Sequence, residues 1–332
     1  MLHRPLIKSF LAPTAISIIG LFVVGAWGGP KAFGIAALLI MLEVTLSFDN
    51  AVINAKILAR LSHKWQQMFL TWGILVSVVL SRALLPIIIV AISTGASIAI
   101  IASTAIYDSV HYGELLEGAH TIIASFGGMF LTLVGLRYFL DEDKEVHWIK
   151  FIERRLAEWG SVESIVVGIG LVILFIIAWA LPDHRAAVLF SGSAGIICFV
   201  FLQGIISMFG ARSLKMGRAG FALFAYLNIL DMAFSFDSVI GAFALSSQLP
   251  VIIVGLGSGA YFVRSLTVYM VRNRVLENLI YIEHGAHWAI IGLAGSMFAS
   301  MFVNLPDPVT GLIGLTLVSF AYISSIRTVQ KQ

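Results

Sequence analysis

Leu42-Glu-Val-Thr-Leu-Ser-Phe-Asp-Asn-Ala-Val-Ile53 sets two carboxylates, Glu43 and Asp49, inside an apolar run long enough to cross a bilayer. A carboxylate facing lipid costs about 2.5–3.5 kcal/mol on insertion scales, so both side chains are expected to face a protein interior or a cavity. At about 100° per residue, Glu43, Ser47, Asn50 and Asn54 form one polar stripe, while Asp49 points roughly 120° away from Glu43. A straight helix cannot aim both carboxylates at one point. Either the helix is locally unwound, or the two serve different parts of a shared cavity.

The rest of the chain fits the same solvent. Of 332 residues, 59% are hydrophobic and 12% charged, and the mean hydropathy is +0.97. A water-soluble surface of that composition is excluded, and an all-α polytopic membrane protein is expected. Residues 1–8 precede an apolar run with no small-residue cleavage site, which predicts a retained helix. The single cysteine, Cys198, rules out an internal disulfide and a Cys-based metal cluster. The net charge of +3 reports topology before partners, and nucleic-acid binding is not expected.

Apolar runs predict about ten helices, near 9–27, 33–59, 66–92, 117–140, 162–181, 186–209, 219–246, 250–271, 284–303 and 308–326. The 93–116 connection holds Asp108, His111 and Glu114 and is expected to be a surface or re-entrant segment. With both termini cytoplasmic, 17 of the 21 Lys and Arg residues fall on that side, while Lys31 and Arg185 fall outside and Arg82 and Arg264 lie within helices. Short cytoplasmic loops collect such residues, so the protein is expected to be multi-pass in the plasma membrane. The polar stretch 141–158 then becomes a cytoplasmic linker, with a short amphipathic helix setting Trp148, Phe151 and Ile152 against the membrane.

A second stretch, Leu230-Asp-Met-Ala-Phe-Ser-Phe-Asp-Ser-Val-Ile240, repeats the first. Glu43 aligns with Asp231 and Asp49 with Asp237; one shortened loop brings Gly73 and Arg82 onto Gly255 and Arg264, and Gly118-Ala-His120 matches Gly285-Ala-His287. Residues 1–181, including the linker, and 182–332 therefore read as two halves of one membrane domain. Five helices per half gives them inverted topology, with a site expected at their interface near the midplane. The Gly255-x-Gly257-x-Gly259 run lies in a span and reads as close helix packing.

Glu43, Asp49, Asn50, Asp231, Asp237 and Ser238 are the candidate ligands, with Ser47, Asn54 and Ser235 as accessories. Carboxylate, amide and hydroxyl oxygens suit a hard divalent cation, manganese first and calcium or magnesium as alternatives. His120 and His287 are weaker candidates, since each lies at a helix start where capping or packing is the ordinary role. Arg82 and Arg264 are placed to hold the carboxylates when no cation does. No prosthetic group is expected.

Glu43-Val-Thr-Leu-Ser-Phe-Asp49-Asn50 resembles the E-x-x-L-S-x-D-N signature of TerC-type integral membrane proteins, the family named for tellurium resistance. Asp231-Met-Ala-Phe-Ser-Phe-Asp237-Ser238 resembles their second signature, D-x-x-F-[AS]-x-D-S. The chain length suggests a longer, uncharacterised branch. The resemblance implies a multi-helix fold related to lysine-exporter-type carriers and export of manganese or related metals. One departure is visible: the usual D-S-I-P-A is Asp237-Ser-Val-Ile-Gly-Ala242 here, so a helix-bending proline is missing.

These readings give a divalent-cation exporter as the expected function. The alternative is a non-transporting scaffold or sensor of a metal or tellurite stress complex, using the same carboxylates as a structural metal site. An enzyme is not expected, because no H-E-x-x-H helix and no serine with an evident base are present. Membrane lipid and a metal ion are the expected partners, with homo-oligomer or stress-complex contacts left open.

Overall fold

The computed structural model describes residues 3–329, apart from 76–81, 83, 142–143, 145, 161–163, 210–217, 247, 304 and 306. Among the described residues the chain is helical, with no strand. Backbone amides cannot be satisfied by lipid, so a spanning chain of this composition closes its hydrogen bonds within helices.

The first helix, α1 (His3–Leu46), merges the first predicted span with the start of the second. It kinks at Gly29, whose φ of 76° is open to glycine and whose successor is Pro30. The helices that follow are α2 (Phe48–Leu58), α3 (His63–Leu70), α4 (Trp72–Leu75), α5 (Leu85–Thr94), α6 (Ile98–Tyr107) and α7 (Ser109–Gly118). Then come α8 (His120–Phe139), α9 (Lys150–Trp159), α10 (Ile165–Ala180) and α11 (Arg185–Phe209). The chain ends with α12 (Arg218–Leu245), α13 (Leu249–Arg272), α14 (Ile282–Ala299) and α15 (Asp307–Val329).

Among the described residues, four helices are long and apolar enough to cross a membrane, within Ser9–Thr45, His120–Phe139, Pro182–Ile205 and Leu249–Arg272. A fifth is added if the bent pair α5–α6 is one span. The chain is thus a multi-pass, all-α membrane protein. The 93–116 segment, expected to be a surface or re-entrant segment, is helical as α6 and α7, with Asp108, His111 and Glu114 exposed. Between α5 and α6 the axis turns by 119°, at Gly95 with φ 72°.

Two compact units interleave the two halves of the sequence. One is Met1–His120 with Arg212–Asn273, and the other is Thr121–Ala211 with Arg274–Gln332. In the first, α13 lies along α1, with Val251 and Val254 packed on Leu21, Val24, Ala32 and Ala36. Lipid supplies no hydrophobic drive between helices, so close contact between small residues does the work. A Cβ at Gly255 would fall 2.6 Å from Leu39 Cβ, and one at Gly259 would fall 2.5 Å from Glu43 Cβ. The glycine run is therefore where α13 approaches the helix that carries Glu43. In the second unit α8 is central, with Gly127 against Met297 of α14 and Gly170 against Leu133.

Gly255→Leu is expected to lower the thermal unfolding midpoint in detergent, because overpacking a fitted contact costs about 1–3 kcal/mol. Gly34→Leu, on the same α1–α13 unit but with nothing within 4 Å of its Cβ position, should leave the midpoint nearly unchanged. Equal shifts in both variants would remove close packing as the reason for Gly255.

Candidate functional site

The polar stripe read from the sequence meets its counterpart. Glu43, Ser47 and Asn50 line one cavity together with Asp231, Ser235 and Arg82, closed on its apolar side by Ala260 and Val263. The helix carrying the stripe is interrupted at Ser47, with φ −98° and ψ 17°. Its hydrogen-bond ladder still crosses the break, from the Ser47 amide to Glu43 O at 3.0 Å and from the Ala51 amide to Ser47 O at 3.2 Å. The break is a small one, and it falls between the two carboxylates that a straight helix could not aim together. On the second side α12 runs unbroken through Asp231 and Asp237.

Each cavity carboxylate is held by an arginine. Arg82 forms a short ion pair with Glu43, and Arg264 Nη2 donates to Asp231 Oδ2 at 2.8 Å. These are the two arginines that the repeat aligned. Arg264 is fixed further by donating to Phe69 O at 2.9 Å and by lying 4.1 Å over the Phe69 ring. A side chain at Gly73 would collide with its guanidinium. Ser47 Oγ adds a 3.3 Å hydrogen bond to Glu43 Oε1.

The cavity volume is about 10 Å³, the scale of a single water-sized particle. Several oxygens in and near it lack a hydrogen-bond partner among the described residues: Glu43 Oε2, Asn50 Oδ1 and Ser235 Oγ on the cavity, and Asp49 Oδ1 and Asn54 Oδ1 on α2. Such buried orphans cost on the order of 1–3 kcal/mol each. Carboxylate and amide oxygens only accept, so a hydrogen-bond donor or a cation is what satisfies them.

The other candidates are placed differently. Asp49 is buried on α2 but does not line the cavity, and Asn54 is likewise buried away from it. Ser238 is half-buried on α12. Asp237 lies on the same helix, but its side chain is outside the described residues. His120 heads α8 and is not on the cavity. His287 belongs to the other packing unit, where its Nδ1 pairs with Glu283 O at 2.8 Å and its ring stacks on Tyr138 at 3.7 Å. Among the described residues, no three His, Cys, Asp or Glu side chains converge on a point that could hold a metal. The pocket is ion-paired rather than a preformed chelate.

A second polar centre escaped the sequence reading. Glu153 of α9 is fully buried. Its carboxylate accepts from the Trp148 and Ile149 amides at 3.0 and 3.2 Å and from Trp288 Nε1 at 3.0 Å, and it lies 2.7 Å from His284 Nδ1. Burial alone would raise its pKa. The hydrogen bonds from His284 and Trp288 and the charges of His284 and Lys144 outweigh that and hold it at about 2. An acidic residue in the first turn of α9 was a visible capping signal, but its partners in α14 are 131 and 135 residues away.

Residues 48–332 match the family described as "Protein of unknown function (DUF475)", and the chain belongs to that family. No curated protein and no solved structure matches it. The resemblance to TerC-type proteins is corrected by this finding. It rested on two eight-residue stretches whose shared chemistry, carboxylates and small hydroxyls on a buried helix face, is what any polar cavity between membrane helices demands.

Arg264→Gln is expected to cost about 3–5 kcal/mol of stability, because it strands a buried carboxylate. The double variant with Asp231→Asn should recover most of that loss. The check is a double-mutant cycle on thermal unfolding, and strictly additive losses would mean that the pair is not energetically coupled.

Proposed function

We propose that this member of the DUF475 family carries a divalent cation through the cavity shared by Glu43 and Asp231, with manganese the first ion to test and calcium and magnesium after it. The observation that supports this most is the repeat-related pair of carboxylates, each held by an arginine, on one water-sized cavity with acceptor oxygens left open. A space of that size suits an ion that has shed most of its water, not an organic substrate.

The arginines define the chemistry. With both guanidiniums in place the two cavity carboxylates are neutralised, so a dication enters only as a guanidinium swings away. Glu43 Oε2, Asn50 Oδ1 and Ser235 Oγ are the oxygens then best placed to replace lost hydration. When the ion leaves, Arg82 and Arg264 return and spare the carboxylates an unpaired charge at membrane depth. In this reading the two halves are inverted repeats of about ten spans in all, the site sits near the midplane of the plasma membrane, both termini face the cytoplasm and the cation moves outward.

A second reading, a non-transporting scaffold or sensor, is favoured by the completeness of the two ion pairs and by the lack of a three-ligand cluster among the described residues. Manganese flux in sealed proteoliposomes separates the two. Wild-type protein should move manganese, and Glu43→Gln or Asp231→Asn should reduce flux at least about tenfold per folded molecule, since each removes charge needed to offset lost hydration; each also strands a buried arginine, so folding is followed in parallel and flux is compared at matched amounts of folded protein. No flux from folded wild type would favour the scaffold, and unchanged flux in both variants would falsify the assignment of this cavity as the pathway.

A further inference from the structure

Helix α9 is held from both ends. At its start Glu153 is buried against His284 and Trp288 in the first turns of α14. At its end Gly160 packs so closely on the backbone of Leu140, one residue beyond α8, that a Cβ there would overlap Leu140 O. The α8 helix is itself one of the candidate spans, and its end is where α9 is anchored.

With Glu153 turned inward, the roll of α9 is fixed. At about 100° per residue, Phe151, Arg155, Trp159 and Ile152 fall within an arc of roughly 100° on the side away from Glu153. Phe151, Ile152 and Trp159 are 72%, 41% and 57% exposed, unusual for large apolar side chains on a ten-residue helix in water. Arg155 lies 4.5 Å over the Phe151 ring, and Lys150 and Arg154 are exposed beside this face. The acidic residues of α9 offset only part of this charge, since Glu158 is the exposed one and Lys150, Arg154 and Arg155 are three. Glu153 is buried with Lys144, His147 and His284 around it, and the exposed Arg154–Glu158 contact is long, at 3.9 Å, and weak in solvent.

We infer that this face of α9 docks on anionic phospholipid headgroups of the membrane in which the protein sits, with Phe151, Ile152 and Trp159 at the headgroup level and Lys150, Arg154 and Arg155 on the phosphates. Aromatic and aliphatic anchors interleaved with basic residues are the composition of an interfacial helix. Glu153 is the positioning residue that sets which face meets the lipid.

The test uses the full chain reconstituted in phosphatidylcholine vesicles with or without phosphatidylglycerol, carrying an environment-sensitive fluorophore on Ile152→Cys in a Cys198→Ser background. Spin-labelled lipids should quench the probe, about twofold more strongly with phosphatidylglycerol present, and a Lys150→Gln/Arg154→Gln/Arg155→Gln variant should lose that difference. Glu153→Gln, or Trp288→Phe where the first does not fold, should reduce quenching in both lipids. Equal quenching in both lipids for the parent overturns the anionic preference. A probe shielded from lipid quencher and from aqueous iodide alike would mean that protein, such as a second copy of the chain, covers this face, and would overturn the proposal outright. None of these readouts depends on transport.

Discussion

A carboxylate at membrane depth cannot be left alone, and most of what is distinctive in the first packing unit follows from that constraint. Burying an ion costs several kcal/mol even after the protein relaxes, and only a close partner with its remaining hydrogen bonds satisfied repays it. Glu43 and Asp231 each obtain a guanidinium. Because Arg264 needs its own donors satisfied, the constraint spreads outward to Phe69 O, to the Phe69 ring and to the missing side chain at Gly73. Glycine at 255 and 259 belongs to the same chain of causes, since a side chain at either would push α13, which carries Arg264, away from the Glu43 helix. Glu153 in the second unit obeys the same rule by different means, with amide, indole and imidazole donors and a nearby ammonium in place of a guanidinium.

Much of this was legible in the sequence, for identifiable reasons. Period and polarity placed Glu43, Ser47 and Asn50 on one stripe, and the repeat placed Asp231 and Ser235 opposite them and aligned Arg82 with Arg264. Local rules suffice for such statements. They did not suffice for Asn54, which continues the stripe in angle but lies one turn past Asn50 along α2 and off the cavity. Nor could they pair Glu153 with residues more than a hundred positions away, or see that His287 would stack on Tyr138 in the other packing unit. In the 93–116 segment the polarity of Asp108, His111 and Glu114 did report solvent contact, since all three are exposed, but it did not reveal two helices, the second capped by Asp108 through the His111 amide. The family was the larger miss: short motifs record what a buried polar helix face requires, and several lineages can meet that requirement.

The two ion pairs are related by sequence but not equivalent in setting. Glu43 and Arg82 are 2% and 4% exposed, while Asp231 keeps 15% of its side-chain surface against 2% for Arg264. The helix under Glu43 is broken at Ser47, and the helix under Asp231 is continuous. A rigid, partly open carboxylate therefore faces a fully enclosed one mounted beside a discontinuity. The departure from helical geometry at Ser47 leaves the hydrogen-bond ladder in place, because Ser47 still donates to Glu43 O and accepts from the Ala51 amide, so the redirection of the helix below Glu43 costs little backbone hydrogen bonding.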